Sequence, residues 1–324
     1  MRRLQTTLGT VVLLLTILVS ACAPRSEPLI AEGPPLAATS EETTEPAVTE
    51  APAEATEAPE EATEAPAGEP SAKDFEDFDA SNFDNSTNIT NQWFPLKPGM
   101  QYVYEGITND DEGNQVSRRL VVTVTDLTKV INGVNTVVSW DRDYNDDSLV
   151  EAELAFYAQD KNGTVWRMGE HPEEYDNGTF ITAPTWFSGV ADSVAGIEMQ
   201  GNPQLEQNYS QGWAPSVEFT DRGQVSQMDQ DVCVPTDCYK GVVVIDETSQ
   251  AEPDAHQFKY YAPGIGNIKV GWAGEDETKE KLELVEVKQI STDELAEAHA
   301  EALKEEQHAY EVSKDIYGAT PPMK

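Results

Sequence analysis

The sequence predicts a mainly β protein, an antiparallel meander of about ten strands that forms a barrel or half-barrel and is followed by a C-terminal α-helix. Apolar side chains recur at a period of two in segments such as residues 120–124, which indicates strands. Asn-Gly pairs at 132–133 and 162–163 each separate two such segments, and Asn-Gly suits the tight turn of a β-hairpin. Sequential antiparallel pairing is therefore expected over residues 81–290, with a two-sheet sandwich as the alternative.

The chain opens with the pattern of a secretory signal peptide over residues 1–21. Arg2 and Arg3 precede an apolar run of about a dozen residues, which is too short for a bilayer core that needs roughly 20. Residues 19–22, Val-Ser-Ala-Cys, resemble the lipobox of bacterial lipoproteins. The resemblance implies cleavage before Cys22, a diacylglycerol on its sulfur, and acylation of the new amino terminus, for instance with palmitate.

This resemblance predicts that the lipid bilayer is a partner of the protein through acylated Cys22. Two or three acyl chains anchor a protein stably, whereas one chain holds it only marginally. We therefore expect a lipid-anchored location on the extracytoplasmic face of a cell membrane, at the cell surface or in the periplasm. An ordinary secretory signal, with Cys22 incidental, is the alternative.

An acidic tether rich in Pro, Thr, Glu and Ala is predicted for residues 22–80. The tetrapeptide Thr-Glu-Ala-Pro begins at residues 49, 56 and 63, and no heptad of apolar positions accompanies it. Such a segment buries too little apolar surface to offset chain entropy, so it is a low-complexity linker and not a coiled coil. Its prolines and like charges favour an extended chain that holds the folded domain away from the membrane.

The whole chain is strongly acidic, with 59 acidic and 21 basic residues and a formal net charge of -38. A surface of this sign repels nucleic acid and anionic lipid headgroups and attracts cations. We expect no nucleic-acid partner, and the sequence leaves the oligomeric state open.

Two cysteines remain beyond the lipobox, Cys233 and Cys238, and the intervening Pro235 favours a turn that brings them together. We predict a disulfide, which agrees with export to an oxidising compartment. Chain-entropy theory gives about 2 kcal/mol for so short a loop, so the bond would fix a hairpin. A metal-binding pair is the alternative, although no histidine or second cysteine pair lies nearby in the sequence.

Residues 184–215 interrupt the strand pattern with aromatic side chains set among Gly, Asn, Gln and Ser. Their aromatic content argues against disorder, and loops of this length are commonly functional. One hypothesis is a lid in which Trp186, Phe187 and Trp213 line the mouth of the barrel and bind an apolar or glycan ligand. The alternative, which we favour, is that these aromatic side chains plug the barrel.

A run of acidic residues places oxygen ligands at alternate positions, as calcium loops do: Asp141, Asp143, Asn145 and Asp147. Asp146 stands where an EF-hand loop needs glycine, and Ala152 stands where it needs glutamate. If Trp140 points inward, the first two aspartates point outward and are explained by an acidic strand end and a solvated turn. A weak extracellular calcium site is the alternative, and we expect no other cofactor.

Motifs of catalysis are absent from the sequence. It has no Gly-x-Ser-x-Gly, no phosphate-loop pattern and no His-Glu-x-x-His, and its four histidines are scattered. A close carboxylate pair could arise by chance among so many acids, so a hydrolase with an unrecognised carboxylate site stays as an alternative. The sequence leaves catalysis undecided and favours a non-catalytic protein.

The C-terminal helix is predicted for residues 291–318. Ser291 and Glu294 have the spacing of a capping box, and no Gly or Pro follows until Gly318. Its narrow apolar stripe favours packing across the sheet or one barrel end, with docking to a partner as the alternative.

Three sequence blocks resemble those of a family of uncharacterised secreted bacterial proteins. They are Phe-Pro-Leu-Lys-Pro-Gly with Tyr-Val-Tyr-Glu-Gly (94–106), Phe-Tyr-Ala-Gln-Asp with Val-Trp (156–166), and Tyr-Tyr-Ala-Pro-Gly (260–264). The resemblance spans roughly residues 91–287 and implies no activity and no catalytic residue. We therefore expect a non-catalytic binding module for an apolar or glycan ligand, with an envelope or surface scaffold that binds a protein partner as the first alternative.

Overall fold

The computed structural model describes residues 73–110 and 112–324. The predicted signal peptide, Cys22 and most of the predicted tether lie outside the described residues. Phe78 already packs against Trp166 of the β domain, with ring centroids 5.8 Å apart, so ordered contacts begin before residue 81.

One antiparallel sheet contains all fifteen strands of the described residues. The strands are β1 (Met100–Asn109), β2 (Gln115–Ile131), β3 (Val134–Asn145), β4 (Ser148–Gln159), β5 (Val165–Asp176), β6 (Thr179–Thr182), β7 (Trp186–Phe187), β8 (Val194–Met199), β9 (Asn208–Ser210), β10 (Gly212–Trp213), β11 (Asp221–Val234), β12 (Asp237–Ser249), β13 (Ala255–Ala262), β14 (Gly266–Gly274) and β15 (Lys281–Gln289). Two helices follow, α1 (Thr292–Val312) and α2 (Lys314–Tyr317). The mainly β fold with a C-terminal helix is confirmed, and the strand count exceeds the ten expected because five short strands lie within residues 179–213.

The sheet curls into a nearly closed barrel through the short segment that contains β9 and β10. β9 pairs with β11 at one end of the strand order, and β10 pairs with β8 at the other. Between them the Gln211 amide donates to the Asp221 carbonyl at 2.8 Å. Gly196 permits the close approach of β8 to this segment, because a Cβ there would lie 2.1 Å from the Gln211 carbonyl carbon. The prediction of a barrel-shaped sheet is therefore confirmed, and the alternative of a two-sheet sandwich is wrong for the described residues.

Residues 85–98 cover one end of the barrel, which we call the covered end. Ile89 and Leu96 form a β-bridge and are buried, and the Gly264 amide of the β13–β14 turn donates to the Gln92 carbonyl at 2.7 Å. The Asn91 amide group donates to the carbonyls of the β4–β5 turn and of residue 200. The β1–β2, β3–β4, β12–β13 and β14–β15 turns lie at the opposite, far end, because successive antiparallel turns alternate between ends.

Helix α1 packs on the outer face of β2 to β4. This confirms the prediction that the helix packs across the sheet. Ser291 and Glu294 form the predicted capping box, and Ala298, Ala302 and Ala309 are buried against the sheet. An outer core forms here, in which Phe187 packs against Phe156 and Tyr317. Both faces of β2 to β5 are therefore covered, one by the barrel interior and the other by the helix.

Within residues 73–110 and 112–324, no helix has the length and apolar character needed to cross a membrane.

Candidate functional site

A cavity of about 250 Å³ lies inside the barrel. Its lining near the covered end is aromatic and aliphatic: Phe94, Leu96, Tyr102, Tyr104 and Tyr157. The Tyr104 hydroxyl donates to the Asn267 carbonyl at 2.8 Å, and Phe94 meets Tyr157 edge-on at 5.1 Å. Burial raises the pKa of the Tyr102 hydroxyl to about 12.

Charge increases along the same strands towards the far end. On β2, Val122 and Leu120 lead to Arg118 at the strand period of two, and on β13 Tyr261 leads to Lys259. All five residues line the cavity. On these two strands the cavity lining therefore changes from an aromatic and aliphatic end to an ionic end around Arg118 and Lys259.

Arg118 is the centre of one ionic cluster. Its Nη2 lies 3.1 Å from Asp143 Oδ2, and its Nε lies 3.1 Å from Glu280 Oε1. Its Nη1 donates to the Asn145 side chain at 3.2 Å. The other oxygen of Asp143, Oδ1, is buried without a hydrogen-bond partner among the described residues. Burial raises the pKa of Asp143 well above its ordinary value, although Arg118 acts in the opposite direction.

Arg167 is the centre of a second cluster. Its Nη1 lies 2.6 Å from Glu170 Oε2, and its Nε and Nη2 both lie 3.1 Å from Glu198 Oε2. Glu153 Oε1 is 3.9 Å from Arg167 Nη1, too far for a hydrogen bond, and is buried without a partner in the described part of the chain. Burial, followed by the neighbouring Glu170, raises the pKa of Glu153 well above its ordinary value.

Two more carboxyl groups near the cavity lack a close cation. Asp141 accepts a hydrogen bond from the Ser139 hydroxyl at 2.6 Å, and burial raises its pKa to about 6. Glu151 pairs across the sheet with Glu174, and burial raises its pKa to about 7. The third cation, Lys259, lies 2.7 Å from Glu247 Oε2. The described residues in and around the cavity therefore include more carboxyl groups than cations.

This arrangement can contact both the apolar and the polar groups of a small molecule. The aromatic side chains offer a dry surface, and the buried carboxyl groups around the cavity offer hydrogen-bond acceptors. Among residues 73–110 and 112–324, no three Asp, Glu, His or Cys side chains converge closely enough to hold a metal ion.

Comparison with known proteins adds little to these observations. No protein-family profile and no curated protein matches the chain. Two solved structures are similar: a candidate exported protein with a YmcC-like fold from Bacteroides fragilis NCTC 9343 (14% identity, TM-score 0.36) and a candidate lipoprotein from Parabacteroides distasonis ATCC 8503 (12% identity, TM-score 0.32). Each alignment covers 61% of this chain and 99% of the other chain. TM-scores this low carry no argument about this chain.

The acidic run of β3 lies on the opposite face from the one expected. Trp140 points outward, where its Nε1 donates to Glu305 of α1 at 2.9 Å. Asp141 and Asp143 consequently line the cavity, Asn145 binds Arg118, and Asp147 is exposed in the β3–β4 turn. The four side chains do not converge, so their placement gives no support to a calcium site, which stays a sequence prediction.

The three aromatic residues of the predicted lid do not line the cavity. Trp186 is 1% exposed and packs against Phe219, and Phe187 lies in the outer core beneath α1. Trp213 lies on the closing strand β10 and contacts Phe75. These side chains contribute to packing, so the structure gives no support to their role as a lid.

The predicted disulfide is confirmed. Cys233 and Cys238 are bonded and face each other across the β11–β12 hairpin.

A buried hydroxyl, imidazole and carboxylate also meet beneath α1. His171 Nδ1 lies 2.6 Å from the Thr185 hydroxyl, and its Nε2 lies 3.1 Å from Glu173 Oε1. His171 is 0% exposed, and the Thr185 hydroxyl also contacts Ser313 beyond the helix. Burial alone would raise the pKa of Glu173, but hydrogen bonds from His171, Tyr175 and His308 lower it. The group joins β5 to the C-terminal helix and has no access for a substrate.

Sequence reasoning missed the cationic residues of the cavity. The period of two could have placed Arg118 and Lys259 on the inner face. Arg118 lies two residues from Leu120 on β2, and Lys259 lies two residues from Tyr261 on β13, so each shares a strand face with an apolar residue of the interior. Arg167 and Glu198 meet only because β5 pairs with β8, and no local pattern encodes that pairing.

Proposed function

We propose that this chain is a membrane-anchored extracytoplasmic lipoprotein whose barrel is a non-catalytic binding module for a small ligand. The lipobox-like residues around Cys22 support the location. The cavity of about 250 Å³, with an aromatic end and an ionic end, supports the binding function. The ligand combines an apolar ring or chain with hydrogen-bonding groups, and glycans are one class with that composition.

The energetics of the interior carry this proposal. Small barrels fill their interiors with side chains when packing alone is required. Burying charged groups costs free energy, and apolar side chains of similar volume are commonly at least as stabilising. A ligand that completes the hydrogen bonds of these charged groups would offset the free-energy cost of burying them. Ligand binding therefore explains why the interior contains charged groups that folding alone does not require.

Native mass spectrometry of the full-length protein from an exporting host tests the proposal. We expect a discrete mass excess that disappears on denaturation, whereas covalent acyl groups on Cys22 would remain. Val122→Trp should abolish the excess, because Val122 lines the cavity. Val130→Trp is the matched control, since Val130 is exposed on the same strand. A bare native mass, or an excess that survives Val122→Trp in folded protein, would contradict binding in the cavity.

A further inference from the structure

We propose that the cavity recognises an organic cation, a primary amine or a guanidinium group, which binds against Asp143 and Glu153. The inference rests on the proposed binding function and names the chemical class of its ligand.

The three cationic residues that line the cavity in the described part of the chain are already engaged. Arg118 contacts two carboxylates, Arg167 hydrogen-bonds two others, and Lys259 contacts Glu247, each at 3.1 Å or less. No hydrogen-bonding group of these three residues reaches the free oxygens of the cavity. Among the described residues, the cationic side chains of the cavity lining therefore leave those oxygens without a positive partner, and a bound cation would supply one.

Two of these oxygens point to a missing donor. Asp143 is only 8% exposed, yet its Oδ1 accepts no hydrogen bond from any described residue. Glu153 Oε1 is likewise buried, and its nearest cationic nitrogen is 3.9 Å away. A buried carboxylate oxygen without a donor is costly, and a charged donor satisfies it best because charge-assisted hydrogen bonds are about twice as strong as neutral ones.

The donor is better supplied by an organic cation than by a metal ion or a neutral sugar. No three carboxylates of the described chain converge on one point, as a metal site would require. Burial raises the pKa of both carboxyl groups, and a neutral hydroxyl would donate a hydrogen bond without stabilising their ionised forms, whereas a cation does both. The aromatic end of the cavity also provides tyrosine and phenylalanine surfaces, which accommodate an apolar group attached to the cation.

Isothermal titration calorimetry of the full-length protein with two probes tests the inference. The probes are phenethylamine and the similarly sized neutral 2-phenylethanol. We expect the amine to bind about 10- to 100-fold more tightly, the range given by one hydrogen bond to a charged group. The preference should decrease as salt is raised, because ionic attraction is screened.

Three variants locate the preference. Asp143→Asn and Glu153→Gln keep the side-chain shapes and should each reduce amine affinity at least about fivefold while leaving the alcohol unchanged. Asp147→Asn removes an equal charge from the exposed turn of the same hairpin and should leave both affinities unchanged. Two different cavity variants are used so that misfolding of one does not decide the result.

The outcomes separate the two proposals. Equal or tighter binding of the alcohol overturns the cation inference and leaves the binding function intact. Binding of neither probe also overturns the inference, while the native mass measurement decides the binding function independently. An amine preference that Asp147→Asn removes as strongly as Asp143→Asn would reflect the general charge of the protein and would contradict a site in the cavity.

Discussion

Carboxyl groups buried beside the cavity make the stability of the domain depend on pH. Burial raises the pKa of Glu151 to about 7 from an ordinary 4.5, with Arg118 opposing the shift and Glu170 and Glu174 adding to it. Between these two values the folded state holds a proton that the unfolded state has lost. The contribution of Glu151 to stability is therefore fully present below pH 4.5 and is lost as the pH rises through about 7.

Glu151→Gln should consequently raise the melting temperature at pH 8 and change it little at pH 4.5. At pH 8 the substitution removes a buried negative charge, whereas at pH 4.5 it replaces one neutral group with another. Thermal unfolding at the two pH values measures the difference. Glu297→Gln, on the exposed surface of α1, is the control and should shift neither value. An equal shift at both pH values for Glu151→Gln would show that its charge is not the cause.

At the scale of single residues, the sequence identified Asp141 and Asp143 but placed them on the wrong face. The expectation assumed that the large apolar Trp140 would face the barrel interior. It instead faces α1, because the helix makes the outer face of β3 as dry as an interior. Alternation of apolar and polar residues reveals the buried face of a strand only when the other face is exposed to solvent. Over these residues β3 faces the barrel interior on one side and α1 on the other, so neither face is exposed to solvent.

At the scale of elements, α1 is attached to the sheet through a buried ion pair. Lys129 of β2 is 1% exposed, and its Nζ lies 2.8 Å from Glu306 Oε1 and 2.9 Å from the Pro321 carbonyl. The same ammonium group lies 4.7 Å from the centre of the Tyr317 ring. The backbone of Lys324 also exchanges two hydrogen bonds with Thr128, so the end of the chain is tied to the same strand.

Lys129→Met should lower the free energy of unfolding by about 3–5 kcal/mol, because it leaves the buried Glu306 carboxylate without its cation. Combining it with Glu306→Gln should recover about half of the loss or more, since both charges are then absent and an acceptor remains for the Met323 amide. Urea unfolding measures each change.

Lys304→Met provides the control for this pair. Lys304 forms an exposed pair with Glu301 on the same helix, and its loss should change stability by less than about 0.5 kcal/mol. If Lys129→Met cost no more than this control, the buried pair would not be what attaches the helix.

The elements that the sequence predicted well are those with a strong local signal. The Asn-Gly turns, the capping box of α1 and the alternation in β2 each follow from a few neighbouring residues. The strands β6 to β10 contain two to six residues each, which is too short for a period of two to be recognised. They form because long strands already in place offer backbone partners, and that information is not local.

At the scale of the whole molecule, the barrel form was predictable but its closure was not. A long meander with a wet and a dry face must either curl or pack against a second sheet. Curling is completed by residues 208–213, which pair with β11 on one side and β8 on the other. One part of the ionic lining depends on the same region of the chain, since Arg167 meets Glu198 only where β5 pairs with β8.

Attachment of the whole molecule to the membrane is predicted to depend on Cys22. If Cys22 carries the acyl chains that the lipobox implies, Cys22→Ser should move the protein from the membrane fraction to the soluble or secreted fraction. The folded domain has no exposed apolar helix to replace the lost chains, because the described helices α1 and α2 are polar or short. Ultracentrifugation of cell fractions measures the distribution, and the denatured mass of the wild type should include the acyl groups.

The double variant Cys233→Ser, Cys238→Ser is the matched control, because it removes both other cysteines and should leave the protein in the membrane fraction. Its domain should lose only about 2 kcal/mol of stability, since the disulfide closes a short loop. Retention of Cys22→Ser in the membrane would mean that another part of the chain or a partner holds it there. Release of both variants would show that loss of any cysteine disturbs folding or export. That result would contradict acylated Cys22 as the specific cause of membrane retention.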